Sequence, residues 1–267
     1  MTSGPTLSSE YCSPTPLQVR IDTHARYSEH PDDPVTAVVD ALAMTGNEAL
    51  ADIGCGDGGF LAHLAGRGHR NRLVGADTSA AMATVAGQIP GVEAVVADAR
   101  QLPFRDHEFD RTTARHMLYH VPDPVRAVHE FRRITRPGGM VAVTVNHAGT
   151  CSRTRGLVSV RAREYGLSPA EEMSNSVDSH TLPDLMGDVF TDIRIRRVDN
   201  ALAFTDPAPL IRFAEALFSF CGIAADSPHR SEILAAVTAD IRSWFTDHPG
   251  GVWRDPKGYS IAVGTVE

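Results

Sequence analysis

Short apolar runs and longer amphipathic runs alternate through the middle of the chain. The short runs have the length of buried strands, and the longer ones repeat apolar residues at helical spacing. The predicted strands are residues 49–53, 73–77, 92–97, 109–114 and 139–145, and the predicted helices between them are 58–66, 79–88 and 123–135. Strands that alternate with helices form a parallel sheet with helices on both faces. The pattern therefore predicts an α/β fold.

The segments that flank this alternation favour helices. Residues 17–44 have helical spacing and end before Gly46, a typical stop residue. Beyond residue 147 the pattern predicts helices at 152–166, 180–188, 207–221 and 229–246, and strands at 192–198 and 258–266. Residues 1–16 are small and polar, and we predict that they form a disordered leader.

Charge and hydropathy narrow the class of protein. The net charge of −8 argues against a nucleic-acid partner, which would favour a basic surface. No apolar run approaches the roughly 18 residues of a membrane span, and the N-terminus lacks the pattern of a signal peptide. We therefore expect no membrane partner and a cytoplasmic location.

The four cysteines are scattered and predict neither a metal site nor a disulfide framework. Cys12, Cys55, Cys151 and Cys221 form no CxxC pair. Cys55 lies in a glycine-rich turn with no activating base nearby in the sequence, so we expect it to pack rather than to act as a nucleophile.

The strongest local motif follows the first predicted strand. Gly54, Gly56 and Gly59 have the G-x-G-x-x-G spacing of a turn that approaches a nucleotide at the start of a helix. Asp52, just before the turn, can accept a hydrogen bond from a ligand. Asp77 ends the next strand roughly 20 residues later, where a ribose-binding acid belongs. These residues alone fit an NAD enzyme and an S-adenosylmethionine enzyme about equally.

Three further motifs separate these two readings. Asp98 ends the third strand, the segment His116-Met117-Leu118-Tyr119-His120-Val121-Pro122-Asp123 follows the fourth, and Arg136-Pro137-Gly138-Gly139 precedes the fifth. In this order the chain resembles the class I S-adenosylmethionine-dependent methyltransferases of the small-molecule type, from about residue 48 to 146. A dehydrogenase is not expected to carry the third acid or the Pro-Gly-Gly turn. Arg111 departs from the family, which usually has an apolar residue there.

The resemblance implies a fold and a division of the chain. The fold is a Rossmann-like, seven-stranded, mostly parallel sheet whose last strand, 258–266, is antiparallel and pairs with 192–198 or the strand beside it. We predict one methyltransferase domain, 17–267. Its implied parts are an N-terminal helical lid (17–46), a cofactor-binding core (47–147), a helical substrate cover (148–191 and 200–250) and C-terminal strands (192–199 and 257–267).

The resemblance also implies a site for S-adenosylmethionine. Gly54, Cys55 and Gly56 would lie under its methionine part, and Asp52 near its amino group. Asp77 would accept hydrogen bonds from both ribose hydroxyls, which suits a carboxylate. The other implied contacts are Thr78 and Met82 beside the adenine, Asp98 and Ala99 at the adenine edge, Arg115 at the methionine end, and Tyr27 as part of a lid. Three alternatives stay open: Asp98 caps its own turn, Met82 is plain core, and the helix of Tyr27 packs on the sheet edge.

Methyl transfer needs a nucleophile held in line with the methyl group and shielded from water. A hydroxyl or amine acceptor also benefits from a base. The candidates are His116, Tyr119, His120 and His147. We favour His120, because the segment after the fourth strand opens toward the methyl group in this family, and we retain His147 and Tyr119.

We therefore expect a methyltransferase that acts on the oxygen, nitrogen or carbon of a small organic molecule, in a biosynthetic role. One alternative is an enzyme that uses the same cofactor without methyl transfer, such as a cyclase, lyase or decarboxylase. Another is a non-catalytic regulatory module, against which the intact Asp52, Asp77 and Asp98 argue. A tRNA or protein substrate is disfavoured by the acidic charge. The sequence identifies neither the acceptor nor the oligomeric state.

Overall fold

The computed structural model describes residues 14–168 and 177–267. This part of the chain forms two compact units. The sheet unit comprises residues 33–148, 177–198 and 259–267, and the helical unit comprises residues 14–32, 149–168 and 199–258.

The secondary structure follows the predicted alternation. The helices are α1 (Pro14–Tyr27), α2 (Pro34–Ala41), α3 (Gly59–Gly66), α4 (Ala80–Ala86), α5 (Pro124–Ile134), α6 (Ser152–Arg163), α7 (Leu182–Gly187), α8 (Pro207–Ala216) and α9 (Arg230–Asp247). The strands are β1 (Leu50–Ile53), β2 (Leu73–Asp77), β3 (Val92–Val96), β4 (Phe109–Arg115), β5 (Thr135–Asn146), β6 (Ile193–Phe204) and β7 (Trp253–Thr265). Short 3₁₀ turns lie at Leu118–His120 and Ser219–Cys221.

The strands form a seven-stranded sheet in the order β3-β2-β1-β4-β5-β7-β6. The pairs β1–β2, β1–β4, β2–β3 and β4–β5 are parallel, and β7 is antiparallel to β5. Leu50, Ala51 and Ile53 of β1 are all buried, as expected for a central strand that is covered on both faces. The predicted Rossmann-like α/β fold is therefore confirmed, and β7 lies between β5 and β6.

Helices of the sheet unit cover both faces of the sheet. Phe131 of α5 and Met186 of α7 belong to one buried cluster with alternate residues of the strands. Val38 of α2 and Leu61 of α3 belong to a second cluster with the remaining strand residues. Because successive residues of a strand point to opposite faces, the two clusters are the two sides of one sheet.

The helical unit has a core of its own. Its buried side chains come from α6, α8 and α9 and from the adjoining ends of β6 and β7, and include Phe204, Phe213, Val237 and Trp253. None of the helices in residues 14–168 and 177–267 has the length and apolar composition needed to cross a membrane.

Two predicted boundaries differ near the N-terminus. Residues 14–16, assigned to the leader, begin α1, and the rest of that leader lies outside the described residues. The single helix predicted over 17–44 is two helices, α1 and α2. The break arises because Asp33 caps α2 by accepting a hydrogen bond from the Thr36 amide at 3.0 Å, and because Pro34 disfavours helical geometry in the residue before it.

The predicted helical cover, 148–191 and 200–250, is also divided differently. Residues 200–204 continue β6, because Leu202 and Phe204 are buried in the core of the helical unit. Strand β7 likewise begins at Trp253, ahead of the predicted 257. Helix α7 belongs to the sheet unit, since Leu182 and Met186 are buried against the sheet.

Two charged residues organise the entrance to β1. Arg111, unexplained by the sequence, donates from Nε to the carbonyl of Leu42 at 2.8 Å and so satisfies the end of α2. The Glu48 carboxylate accepts hydrogen bonds from the backbone amides of Thr45, Gly46 and Asn47 and from the Thr45 hydroxyl. Burial of Glu48 acts to raise its pKa, but these hydrogen bonds outweigh burial and lower the pKa to about 2.

Glu48 should make folding stability depend on acidity. A carboxyl whose pKa is lowered by folding contributes its full stability above its unfolded pKa, near 4.5, and loses that contribution as pH falls toward about 2. We expect Glu48→Gln to flatten this part of the stability profile, measured by urea unfolding between neutral and acid pH. Glu232→Gln, at an exposed position of α9, should keep the wild-type slope. An unchanged slope in Glu48→Gln would contradict the assignment.

Candidate functional site

The glycine turn joins β1 to α3 at the carboxyl end of the sheet. Gly54 has φ +69°, and a Cβ there would lie 2.6 Å from the Met117 side chain, so this position requires glycine. Gly56 has φ +57°, and no atom lies within 4 Å of where its Cβ would be. The backbone at Gly56 is thus open to a ligand, as the predicted site requires.

The amides of this turn are already bonded within the protein. Five amides between Gly54 and Gly59 donate to protein oxygens. The pairs, with their N···O distances, are Gly54 to Ala76 O (2.7 Å), Cys55 to Ala76 O (3.1 Å), Gly56 to Asp77 Oδ2 (2.9 Å), Gly58 to Cys55 O (3.1 Å) and Gly59 to Asp57 Oδ1 (3.1 Å). A pyrophosphate-binding turn instead directs its amides at phosphate oxygens. This turn therefore suits a cofactor without phosphates.

Asp77 is held at the end of β2 by backbone donors alone. Its two carboxylate oxygens accept from the amides of Gly56 and Ser79, each at 2.9 Å. Across residues 14–168 and 177–267 no Lys, Arg or His forms an ion pair with it. Since each oxygen can accept a second hydrogen bond, Asp77 keeps both charge and lone pairs for ligand hydroxyls.

The other acids at strand ends are neutralised by arginines. Asp52 is buried and accepts from Arg115 Nη2 at 2.8 Å and Nε at 3.3 Å. Burial raises the pKa of Asp52, and the Arg115 guanidinium opposes that rise. Arg115 also lies over the ring of Phe60, with its Cζ 4.2 Å from the centroid. The pair joins β1 to β4 directly below the glycine turn.

Asp98 adopts the capping arrangement that the sequence left open. Its carboxylate accepts from the backbone amide of Arg100 at 2.9 Å and from the Arg100 guanidinium at 2.6 Å, which lowers the pKa of Asp98. Ala99 beside it is buried. Thr78 is exposed and Met82 is half-buried at the start of α4, where Ser79 Oγ accepts from the Met82 amide. Their contacts with adenine stay predictions.

Cys55 lies in the turn as a packed side chain. Burial, aided by the charges of Asp52 and Asp77, raises the pKa of its thiol to about 12. Its Sγ atom would lie 2.7 Å from a Cβ at Gly75, so the two positions fit each other closely. Such a thiol is almost wholly protonated at neutral pH and is a poor nucleophile.

The candidate bases lie just past β4 and β5. Tyr119 and His120 share the 3₁₀ turn, and their ring centroids are 4.5 Å apart at 71°. His116 has φ +53° and donates its amide to Thr144 O at 2.8 Å. His147 follows β5 and is half-buried. The turn brings Tyr119 and His120 together, but their catalytic roles stay predictions.

Tyr27 lies at the end of α1 in the helical unit. Its ring stacks on Phe204, with centroids 4.9 Å apart at 25°. The contact places Tyr27 in the core of that unit. Its implied role over the cofactor stays a prediction.

Sequence reasoning missed the partners that hold these residues. Ser79 and Arg100 lie two residues after Asp77 and Asp98, a spacing typical of side-chain caps, and could have been anticipated. Phe60 under Arg115 and Met117 against Gly54 come from distant segments, and no local signal marks them.

The fold and this edge define the class of protein. A parallel sheet with a glycine turn after β1 and acids after the next two strands is the arrangement of Rossmann-like proteins that bind a nucleoside-containing cofactor. Bonded amides and the surrounding carboxylates favour a cationic cofactor over a pyrophosphate. In the described ranges, no group of three or more His, Cys, Asp or Glu residues is placed to hold a metal ion.

Sequence comparison identifies the family. Residues 51–143 match the family model described as a methyltransferase domain. The chain is 37% identical over 103 residues to a demethylmenaquinone methyltransferase of Bacillus cereus, covering 36% of this chain and 43% of that protein. It is 34% identical over 113 residues to an uncharacterised transposon protein of Streptomyces fradiae, covering 40% and 33%. The matched segment thus spans less than half the length of these curated relatives.

Solved structures of the same fold include two with different reactions in their names. One is phosphoethanolamine N-methyltransferase 2 of Haemonchus contortus in complex with S-adenosyl-L-methionine, at TM-score 0.56 and 17% identity, covering 98% of this chain and 57% of that one. The other is the [4+2]-cyclase SpnF, at TM-score 0.58 and 17% identity, covering 98% and 97%. The chain belongs to the class I S-adenosylmethionine-dependent methyltransferases, and S-adenosylmethionine is the cofactor of that family.

The buried Asp52–Arg115 pair should be essential for stability as a unit. We expect Arg115→Met to lower the free energy of unfolding by about 3–5 kcal/mol, because it leaves a buried carboxylate unpaired. The double variant Asp52→Asn/Arg115→Met should recover much of this loss, as measured by urea unfolding in a double-mutant cycle. Arg254→Met breaks the exposed pair with Glu29 and should cost about 1 kcal/mol or less. Equal losses in the two single variants would contradict the buried-pair assignment.

Proposed function

We propose that the chain transfers the methyl group of S-adenosylmethionine to a small organic molecule, at oxygen, nitrogen or carbon. The observation that carries this proposal is the glycine turn, whose amides are bonded internally and whose neighbours are carboxylates. Such a turn favours a cofactor that carries positive charge on sulfur and nitrogen. The net charge of −8 supports a small acceptor over a nucleic acid.

The residues present fit this cofactor. The open backbone at Gly56 lets a ligand approach without a clash. Asp77 has lone pairs left for the two ribose hydroxyls. In our proposal, Thr78, Met82, Asp98 and Ala99 surround the adenine. The methionine part lies at Gly54 and Cys55, near Asp52 and Arg115, with Tyr27 contributing from the lid.

When bound, the cofactor supplies an electrophilic methyl group. The protein then has to orient the acceptor and remove its proton. Tyr119 and His120 are placed together in one turn after β4, and His147 follows β5, so each can take a proton from a hydroxyl or amine acceptor. His120 is our first choice because its imidazole can accept a proton near neutral pH.

The relatives support a small acceptor. Proteins that are 34–37% identical over the cofactor segment are named demethylmenaquinone methyltransferases, and that name denotes a small organic substrate. The cyclase SpnF has the same fold, and fold alone does not fix the reaction. Transfer releases S-adenosylhomocysteine, whereas cyclisation of a ligand does not, so the products distinguish the two reactions.

The function is tested by following both products. The protein is incubated with methyl-labelled S-adenosylmethionine and a panel of small phenols, amines and quinols, and products are identified by mass spectrometry. We expect a labelled acceptor together with an equal amount of S-adenosylhomocysteine. Asp77→Asn should weaken cofactor binding about tenfold or more in calorimetry, because it loses charge-assisted hydrogen bonds to the ribose. Asp188→Asn, an exposed control in the sheet unit, should bind normally. Binding unaffected by Asp77→Asn would contradict the assigned site.

A base at His120 predicts a specific kinetic change. His120→Asn should lower kcat by about 10²–10⁴-fold for a hydroxyl or amine acceptor and remove the limb of the pH–rate profile that reports the base. A merely structural role would instead change KM or thermal stability and leave the profile in place. His129→Asn, on the exposed face of α5, is the matched control. An unaltered pH profile in His120→Asn would assign the proton transfer to Tyr119 or His147.

A further inference from the structure

A second cavity lies in the sheet unit, at the edge where β1 and β2 begin. Its volume is about 290 Å³, close to the lower end for small-molecule sites. The last turns of α2 and α3 line it, together with the turns at residues 44–46 and 67–70 that follow these helices. Because β1 and β2 are parallel and both turns precede them, this cavity and the glycine turn are at opposite edges of the sheet.

The lining of this cavity is basic. Arg67 and Arg70 border it along with His63 and His69, and Asp40 is its one carboxylate. Apolar side chains, including Met44 and Leu64, complete the wall. A basic pocket with an apolar wall is unusual in a chain whose net charge is −8, and it favours an organic anion.

The two arginines differ from their neighbours in having no carboxylate partner. Arg72, two residues beyond Arg70, is bonded to both Glu93 and Glu108. For the guanidinium groups of Arg67 and Arg70, the described chain provides neither an ion pair nor a side-chain hydrogen bond. Each guanidinium has five N–H donors in a planar fork that matches a carboxylate or a phosphate.

The floor of the cavity is held in place before any ligand binds. His69 Nε2 donates to the carbonyl of Glu48 at 2.8 Å, and the Glu48 carboxylate ties down the turn that starts at Thr45. With Nε2 as donor, Nδ1 of a neutral His69 is an acceptor, and this buried atom has no partner in the described residues. A ligand hydroxyl or an accompanying water would satisfy it.

The positive charge extends beyond this cavity. Asp40 also lines a neighbouring cavity of about 180 Å³, on whose wall lie Arg194 and Arg196 of the edge strand β6. Both arginines are exposed. Four arginines thus share a single carboxylate on this side of the sheet unit, which strengthens the local attraction for an anion.

From these observations we infer that the 290 Å³ cavity is a second ligand site, which binds a small organic anion of the carboxylate or phosphate class through Arg67 and Arg70. Two unpaired guanidinium forks supply the charge, Met44 and Leu64 accommodate an apolar part, and His69 accepts from a hydroxyl. The site is separate from the proposed cofactor site and does not depend on the reaction catalysed there.

The test uses citrate and inorganic phosphate as probes, with chloride at matched ionic strength as the reference. Binding to the full chain is measured by calorimetry and by the shift in Tm. We expect at least one probe to bind and to raise Tm above the chloride value. In Arg67→Gln/Arg70→Gln its affinity should fall at least tenfold, because two charge-assisted hydrogen-bonding groups are lost. The stronger probe identifies the carboxylate or the phosphate class.

A second double variant controls for charge alone. Arg105→Gln/Arg132→Gln removes the same charge from exposed positions of the sheet unit outside the cavity and should retain probe binding. Circular dichroism and Tm in chloride establish that both variants are folded. The inference is overturned if neither probe stabilises the protein beyond chloride, or if the two double variants lose affinity equally. Neither result bears on S-adenosylmethionine binding, which is measured separately.

Discussion

The ion pair between Asp52 and Arg115 is the interaction on which the cofactor edge depends. It joins β1 to β4 in the middle of the sheet, where water cannot solvate a lone carboxylate. Phe60, from the first turn of α3, lies under the guanidinium and so fixes where the helix starts relative to both strands. The glycine turn between β1 and α3 therefore has its two ends held by one buried charge pair and one ring.

This constraint explains why the turn suits one cofactor class and not another. Its G-x-G-x-x-G spacing is shared with dinucleotide-binding turns, but the spacing describes only where glycine is allowed. What a turn binds depends on where its amides point. Here Gly54 and Cys55 donate to the end of β2 and Gly56 donates to Asp77. The turn presents carboxylate oxygens instead of free N–H groups, which favours a sulfonium and an ammonium over phosphates.

Local signals predicted the strands and acids because both lie within single short segments. Each apolar run ends in a polar residue, so Asp77 and Asp98 could be placed at strand ends from the sequence. The partners of these acids were harder. Arg115 follows Asp52 by more than sixty residues and meets it only through the pairing of β1 with β4. The extension of β6 to Phe204 depends on burial in the helical unit, which no periodicity in that segment reveals. Predictions failed where tertiary packing decided the outcome.

The reaction itself depends on a segment that the cofactor site does not constrain. Proteins with this fold include a methyltransferase and a cyclase, so the strands and the glycine turn leave the chemistry open. After β4 the chain turns sharply at His116, whose φ of +53° costs about 1 kcal/mol for a residue with a Cβ. Its amide bond to Thr144 on β5 holds that conformation. Strain retained in this way is typical of functional segments, and here it sets the direction of the turn that carries Tyr119 and His120. The acceptor and its proton are therefore governed by the β4–β5 pairing, one strand removed from the residues that hold the cofactor.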